Sequence, residues 1–213
     1  MIRMNSVKNL PEKTIERLSQ YRRVLLDCLR QGKYNIYSHE LASLLHINPV
    51  QVRRDIMLIG HNGTLRKGYD VKRLSDMIGT IIDSKEGQKV AVVGVGNLGR
   101  AIMTYFQGKR TKLVIAAAFD TDPAKVNRVI AGIRCYAASE MEEVIRKEGI
   151  TIGVITVPPD KAAESAEKLV MAGIRGILNY TPVALNVEPH AYLEEYDMVT
   201  SLEKVAFFVK NRS

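Results

Sequence analysis

Between Gly94 and Gly99 the chain reads GVGNLG, directly after the apolar run KVAVV and before a stretch with Ile102, Met103 and Phe106 at helical spacing. Glycines so placed can bind a pyrophosphate: Gly94 permits the tight turn, Gly96 lets backbone approach the ligand, and Gly99 lets helix and strand pack closely. Val95, Asn97 and Leu98 complete the loop, and the helix that follows supplies orphan N–H groups and a positive dipole end. The same fingerprint needs an acidic residue at the end of the next strand, and LVIAAAFD supplies Asp120, 26 residues after Gly94. A carboxylate there accepts from a ribose 2′-hydroxyl and repels a 2′-phosphate, which favours NAD(H) over NADP(H).

A second constellation, NPVQVRRD at 48–55, has the chemistry of base recognition. Asn48 is suited to cap a helix and Pro49 to its first turn. At about 100° per residue, Val52, Ile56 and Ile59 share one inward stripe, Arg54 points almost opposite, and Gln51 and Arg53 take the shoulders. In a major groove Arg bonds guanine bidentately, Gln pairs with adenine, and an outward Val50 touches a thymine methyl. Arg66 and Lys67, in the glycine-punctuated stretch IGHNGTLRKGYDV, can reach phosphates or the adjacent minor groove. Ser38, Gly68 and Tyr69 complete the expected DNA-facing set.

These groups need scaffolds of two kinds. For the basic constellation, Pro11 opens a helix with Ile15, Leu18, Tyr21, Leu25 and Leu29 inward and Arg17, Arg22 and Arg30 on the other face, ending near Gln31-Gly32. Ser38 is expected to cap a short helix with Leu41, Leu44 and Leu45 inside, ahead of the helix that opens at Asn48-Pro49. Gly60, Gly63 and Gly68 then mark a short β-ribbon, and three helices followed by a ribbon is the winged-helix order. A further helix is predicted from Val71 to about Ile82, and SKEGQK at 84–89 reads as a linker. Beyond it VAVVGVG, LVIAAAF, TIGVITVP and GILNYTP alternate with helical stretches at 99–107, 139–148 and 160–172. That rhythm predicts an α/β fold with a doubly wound, Rossmann-type parallel sheet. Residues 199–213 place Leu202, Val205, Phe208 and Val209 at helical spacing after that unit is complete, so their face needs another surface. The predicted divisions are 1–87, 88–198 and 199–213.

Composition narrows the function classes. Of 213 residues, the first 87 hold 15 Lys/Arg against 9 Asp/Glu, and the remainder 16 against 14. A basic portion beside a near-neutral one fits a polyanion-binding module joined to something else. Cys28 and Cys135 lie far apart with no ligand spacing around them, so neither a metal site nor a disulfide framework is expected, and reduced thiols in a cytoplasm are the simpler reading. The longest apolar run, Leu113 to Phe119, falls short of the ~20 residues of a membrane helix. Only His190 among four histidines falls in the second module, and no triad order, HExxH or Walker string is present, so no catalytic residue is assigned. Three readings remain: a homodimeric repressor regulated by NADH, a small NAD-dependent oxidoreductase with a basic accessory module, and a regulator sensing another nucleotide such as coenzyme A. Asp120 counts against the last, because the CoA ribose carries a phosphate.

Through VQVRRD, GYDV, GVGNLGRA, AAFDTDPAKV, ITVPPDKAAE and AGIRGILNYTPVALNV the chain resembles, over nearly its whole length, the Rex family of redox-sensing transcriptional repressors. The resemblance implies an N-terminal winged-helix DNA-binding domain and a Rossmann domain sensing NADH and NAD. It also implies a homodimer on a palindromic double-stranded operator, with each C-terminal helix crossing onto the partner and NADH releasing the DNA. By the same resemblance Thr156, Val157 and Pro158 at one strand end, and Asn179, Tyr180, Thr181 and Pro182 at another, line the dinucleotide site. Arg23, Tyr105 and Asp197 are carried over as the switch. Two departures stand out: Asn62 and TLRKG replace the family's usual Phe and glycine-rich wing, and Ala163-Glu164 replaces its Ala-Gln.

Overall fold

A computed structural model describes residues 10–64, 66–106, 112–187 and 189–210. The chain divides into two compact units, Met1–Lys85 and Glu86–Ser213.

The first unit runs α1 (Glu12–Arg30), β1 (Asn35–Ile36), α2 (Ser38–Leu45), α3 (Pro49–Leu58), β2 (Tyr69–Asp70) and α4 (Val71–Ile82). Leu18, Tyr21 and Leu25 of α1 meet Leu41 of α2, Val52 and Ile56 of α3, and Leu74 and Ile78 of α4 in one core. Several local expectations need correction. The buried stripe of α1 includes Thr14 and Cys28, while Ile15 and Leu29 are only half-buried. On α2, Leu41 and Ala42 are buried and Leu44 is 56% exposed, so Leu44 leaves the inner face. Ser38 is the first residue of α2 and not its cap; the Glu40 carboxylate reaches back to accept from the Tyr37 backbone N–H at 2.7 Å. Nor is the far side of α1 a free basic face. Arg17 is paired with Asp55, Arg22 with Asp83 and Arg30 with Asp27.

The expected ribbon is also shorter than predicted. Tyr69 and Asp70 pair antiparallel with Ile36 and Asn35, two residues for which no element is predicted. The turn between α3 and β2 is closed by reciprocal Thr64 and Gly68 backbone bonds of 2.8 Å. Gly68 sits at φ +67°, and a Cβ there would lie 2.5 Å from the Ile36 carbonyl oxygen, so this close approach admits only glycine.

The second unit runs β3 (Gln88–Val93), α5 (Asn97–Phe106), β4 (Leu113–Asp120), β5 (Val129–Ile130), β6 (Ile133–Ala137), α6 (Met141–Glu148), β7 (Ile150–Ile155), α7 (Ala162–Met171), β8 (Gly176–Asn179), β9 (Tyr192–Glu195) and α8 (Met198–Lys210). The strand order is β5-β6-β4-β3-β7-β8-β9, parallel except where β5 turns back on β6. Apart from β5 this is the doubly wound order, with its reversal point at β3. Alternation along β3 shows why its strand reads as a continuous apolar run. Val90 and Val92 pack with Ile102 and Met103 of α5, whereas Ala91 and Val93 pack with Val144 and Ile145 of α6 and Leu169 of α7. Among the described residues no helix is long and apolar enough to cross a membrane. Gln107 and residues 211–213, which the predicted helices included, lie outside the described residues.

Candidate functional site

The carboxyl ends of β3, β4 and β7 border a cavity of about 560 Å³ in the second unit. Gly94, at φ +94°, turns the chain out of β3 while its N–H donates to the Phe119 carbonyl at 2.8 Å. The Thr156 hydroxyl, just beyond β7, donates to the Gly94 carbonyl at 2.7 Å. A Cβ on Gly99 would come 2.1 Å from that same carbonyl oxygen, so the helix start and the turn are locked together by the lack of a side chain. Gly96 differs: a Cβ there would meet nothing within 4 Å, and the residue lines the cavity with Asn97 and Leu98. The first N–H groups of α5 have no partner within the helix and lie at this wall. Open space at Gly96, a helix N-terminus and an acidic strand end are together what a dinucleotide pyrophosphate and ribose require.

Asp120 ends β4 in the cavity wall. Its Oδ2 accepts from the Val95 N–H at 2.7 Å and from Lys125 Nζ at 3.1 Å, and its Oδ1 accepts from the Asp122 N–H at 2.9 Å. Burial alone would raise its pKa, but these donors outweigh it and hold the carboxyl below the usual carboxylate range. Thr156, Val157 and Pro158 line the opposite side. Glu164, also in the lining, does not bring an unbalanced charge, because Lys168 donates to it at 2.7 Å and Lys161 lies 3.7 Å from its other oxygen.

Asn179, Tyr180, Thr181 and Pro182 lie one strand over, at the end of β8, and the cavity lining does not include them. Asn179 is buried and holds its own turn, donating to the Val183 carbonyl and accepting from the Thr181 N–H and hydroxyl. Tyr180 stacks on Tyr196 with centroids 5.5 Å apart. Arg23 is exposed on α1, and Tyr105 is 60% exposed on α5. The Asp197 carboxylate accepts from the Val199 and Thr200 N–H groups, which makes it the cap of α8.

In the first unit α3 presents the expected face. The Asn48 side chain accepts from the Val50 N–H at 2.8 Å, Val52, Ile56 and Ile59 are fully buried, Arg53 and Arg54 are exposed, and Val50 is half-exposed. Arg53 donates to the Ser38 hydroxyl at 3.2 Å, which draws Ser38 to the edge of this face. Arg66 and Lys67 are exposed on the turn, where the Tyr37 hydroxyl donates to the Arg66 carbonyl at 2.7 Å. Two assignments change. Tyr69 is only 8% exposed and belongs to the core, and burial pushes its hydroxyl pKa up. Gln51 turns inward and donates its amide to Asp55 at 2.9 Å, so the bidentate adenine pairing is not open to it here.

Asp55 is the residue that sequence reasoning missed. It is wholly buried, and its carboxylate accepts from Arg17 Nε at 2.6 Å, Arg17 Nη2 at 2.8 Å, the Tyr21 hydroxyl at 2.7 Å and Gln51. Its position between Val52 and Ile56 on the inward stripe is the available signal, since a carboxylate on an apolar face must find donors.

A family profile described as a CoA binding domain matches residues 85–183, and one for a DNA-binding protein N-terminus matches residues 9–56. A redox-sensing transcriptional repressor Rex from Desulfitobacterium hafniense is 39% identical over 203 residues, covering 95% of this chain and 97% of the relative. The chain belongs to the Rex family of redox-sensing transcriptional repressors. A second Rex relative, from Streptococcus thermophilus, is 36% identical and covers 97% of this chain and 95% of its own length. Among solved Rex-family structures, RSP in complex with β-NAD+ and operator DNA is 28% identical, with a TM-score of 0.88 over 96% of this chain and 94% of RSP. RSP in complex with β-NADH is 27% identical, with a TM-score of 0.82 over 95% of each chain. Rex membership makes this chain a transcriptional regulator with a winged-helix domain and a Rossmann-type sheet.

Proposed function

We propose that the chain is a homodimeric repressor that binds a palindromic operator and is released from it when NADH enters the second unit, acting in the cytoplasm as a regulator and not as an enzyme. The observation that carries this reading is the cavity at the ends of β3, β4 and β7, with open space at Gly96 and an acidic acceptor at Asp120, in a chain that also exposes Arg53 and Arg54 on a capped helix. In RSP the corresponding partners are β-NAD+, β-NADH and operator DNA. The functional divisions are residues 1–87 for DNA, 88–198 for the dinucleotide and 199–213 for the partner subunit. In this reading Asp120 accepts from the adenosine ribose, the loop from Gly94 to Gly99 receives the pyrophosphate, and Thr156 to Pro158 border the bound ligand. Asn179 to Pro182 hold the neighbouring strand end, and Arg23, Tyr105 and Asp197 carry the signal.

The test is titration of the full chain with NADH, NAD, NADPH and CoA, followed by an operator shift assay with the tightest ligand. CoA has a specific claim to inclusion because the matched profile is that of a CoA binding domain. Tightest binding by CoA would replace the NADH reading. Gly96→Val is expected to fold normally, since its side chain enters open space, and to lose NADH binding because that space is the ligand's. Asp120→Ala is expected to weaken NADH binding by about 1.5–3 kcal/mol, the worth of a hydrogen bond to a charged group. NADH affinity unchanged in both variants would remove the dinucleotide from this cavity.

For DNA, Arg54→Ala is expected to cost about 1–3 kcal/mol of operator affinity through loss of a bidentate base contact. Lys67→Ala should instead weaken specific and non-specific binding about equally and flatten the salt dependence. Wild-type operator affinity in either variant rejects its part of the docking.

A further inference from the structure

Lys125 is a cation in the cavity wall, outside the glycine and acidic positions of the dinucleotide fingerprint. After β4 the chain turns at Asp122, whose carboxylate accepts from the Ala124 N–H at 2.9 Å, and this turn brings Lys125 back over the strand end. Its ammonium lies 3.1 Å from Asp120 Oδ2 and 3.4 Å from Asp122 Oδ2. All three side chains line the cavity. A carboxylate offers about four acceptor positions, and Val95, Lys125 and Asp122 occupy three on Asp120, which leaves room for a single ligand hydroxyl. Two carboxylates and one ammonium leave this wall with one net negative charge. Without the ammonium that charge would double, and without the Asp122 charge it would vanish.

We propose that Lys125 sets the margin by which the cavity prefers a dinucleotide with a free ribose 2′-hydroxyl over its 2′-phosphorylated counterpart, as the counter-charge to Asp120 and Asp122. The inference rests on the dinucleotide reading of the cavity. A 2′-phosphate brings about −1.5 to −2 charges near neutral pH, so discrimination follows the net charge it meets. Removing Lys125 raises the repulsion. Neutralising Asp122 lowers it and frees the ammonium to hold the phosphate, while Asp120 keeps its ribose acceptor.

The experiment titrates NADH and NADPH by nicotinamide fluorescence into full-length wild type, Lys125→Gln, Lys125→Arg and Asp122→Asn, at low and high salt. Thermal melting checks each fold. The ratio of NADPH to NADH dissociation constants is expected to rise about tenfold in Lys125→Gln and to fall about tenfold in Asp122→Asn, the scale of one charge acting on a phosphate across a few ångströms with water-like screening. Lys125→Arg keeps the counter-charge and should not raise it. The shifts should shrink at high salt, as a charge effect does and a change of cavity shape does not. A ratio indifferent to Lys125→Gln, or shifts equal at both salts, overturns the proposal. Should Lys125→Gln fail to fold, Asp122→Asn decides it alone. Wild type binding neither dinucleotide defeats the underlying reading and this one with it; wild type binding NADH with an insensitive ratio defeats only the role of Lys125.

Discussion

Asp55→Ala is expected to destabilise the N-terminal unit by about 3–5 kcal/mol, toward the lower end because one partner keeps contact with solvent. Removing the carboxylate strands the Arg17 guanidinium, which is 22% exposed, and leaves the Tyr21 hydroxyl buried without its acceptor. Neither can be compensated by repacking, since both donors converge on one point between α1 and α3. Asp55→Asn keeps the shape but loses the charge and should cost less. Urea unfolding measures both, and a loss below about 1 kcal/mol for the alanine variant, the ordinary worth of a single hydrogen bond, would mean that the network does not hold α3 against α1. Arg54→Ala separates stability from recognition: an exposed side chain should leave unfolding within about 0.5 kcal/mol while operator affinity falls.

The same carboxylate has a pH signature. Burial would raise its pKa, but the bonds from Arg17, Tyr21 and Gln51 hold it below the ordinary value of about 3.9. A depressed folded value means that the unfolded chain binds the proton more readily. The Asp55 contribution is therefore complete above about pH 4 and is lost as pH falls through the lower folded value.

In the second unit β3, β4, β7 and β8 were legible as short apolar runs alternating with helical spacing, whereas β5, β6 and β9, which carry no such run, were not predicted; the glycine roles followed from one short string. Gly94 and Gly99 make the close approaches that their spacing predicts, at φ +94° and at 2.1 Å from a carbonyl. The Arg17–Asp55 pair was not legible, since its partners stand 38 residues apart and no local pattern joins them. The same holds for Asn35–Asp70, a strand pair too short to alternate. Ser38 and Gln51 were misread for a different reason. A propensity assigns a side chain to a role but cannot rank it against a neighbour that does the job better, as Glu40 does at the start of α2, or against a buried acceptor such as Asp55.

Leu202→Asp with Phe208→Asp is expected to turn the dimer into monomers and to cut operator affinity by at least about a hundredfold. On α8, Leu202, Val205, Phe208 and Val209 are between 57% and 69% exposed, and among the described residues none of this helix is buried in its own chain. An apolar face of this size calls for another surface, and in the homodimer reading that surface belongs to the partner subunit. Two half-sites one helical turn apart, ~34–36 Å, are read together only when two recognition helices are held at that spacing, so monomers forfeit the avidity of the second contact. NADH binding should survive, because no α8 residue lines the cavity. In the homodimer reading the dimer also carries the regulation. Linkage requires that the factor NADH removes from operator affinity be the factor the operator removes from NADH affinity, and a factor of about 100 corresponds to ~2.7 kcal/mol. Truncation after Thr200 removes most of α8 without touching its Asp197 cap. The expected result is loss of dimer, loss of operator binding and retained NADH affinity, read by sedimentation, gel shift and fluorescence. If the truncated chain remains dimeric and NADH still releases it from DNA, α8 is neither the dimer contact nor the transmitter.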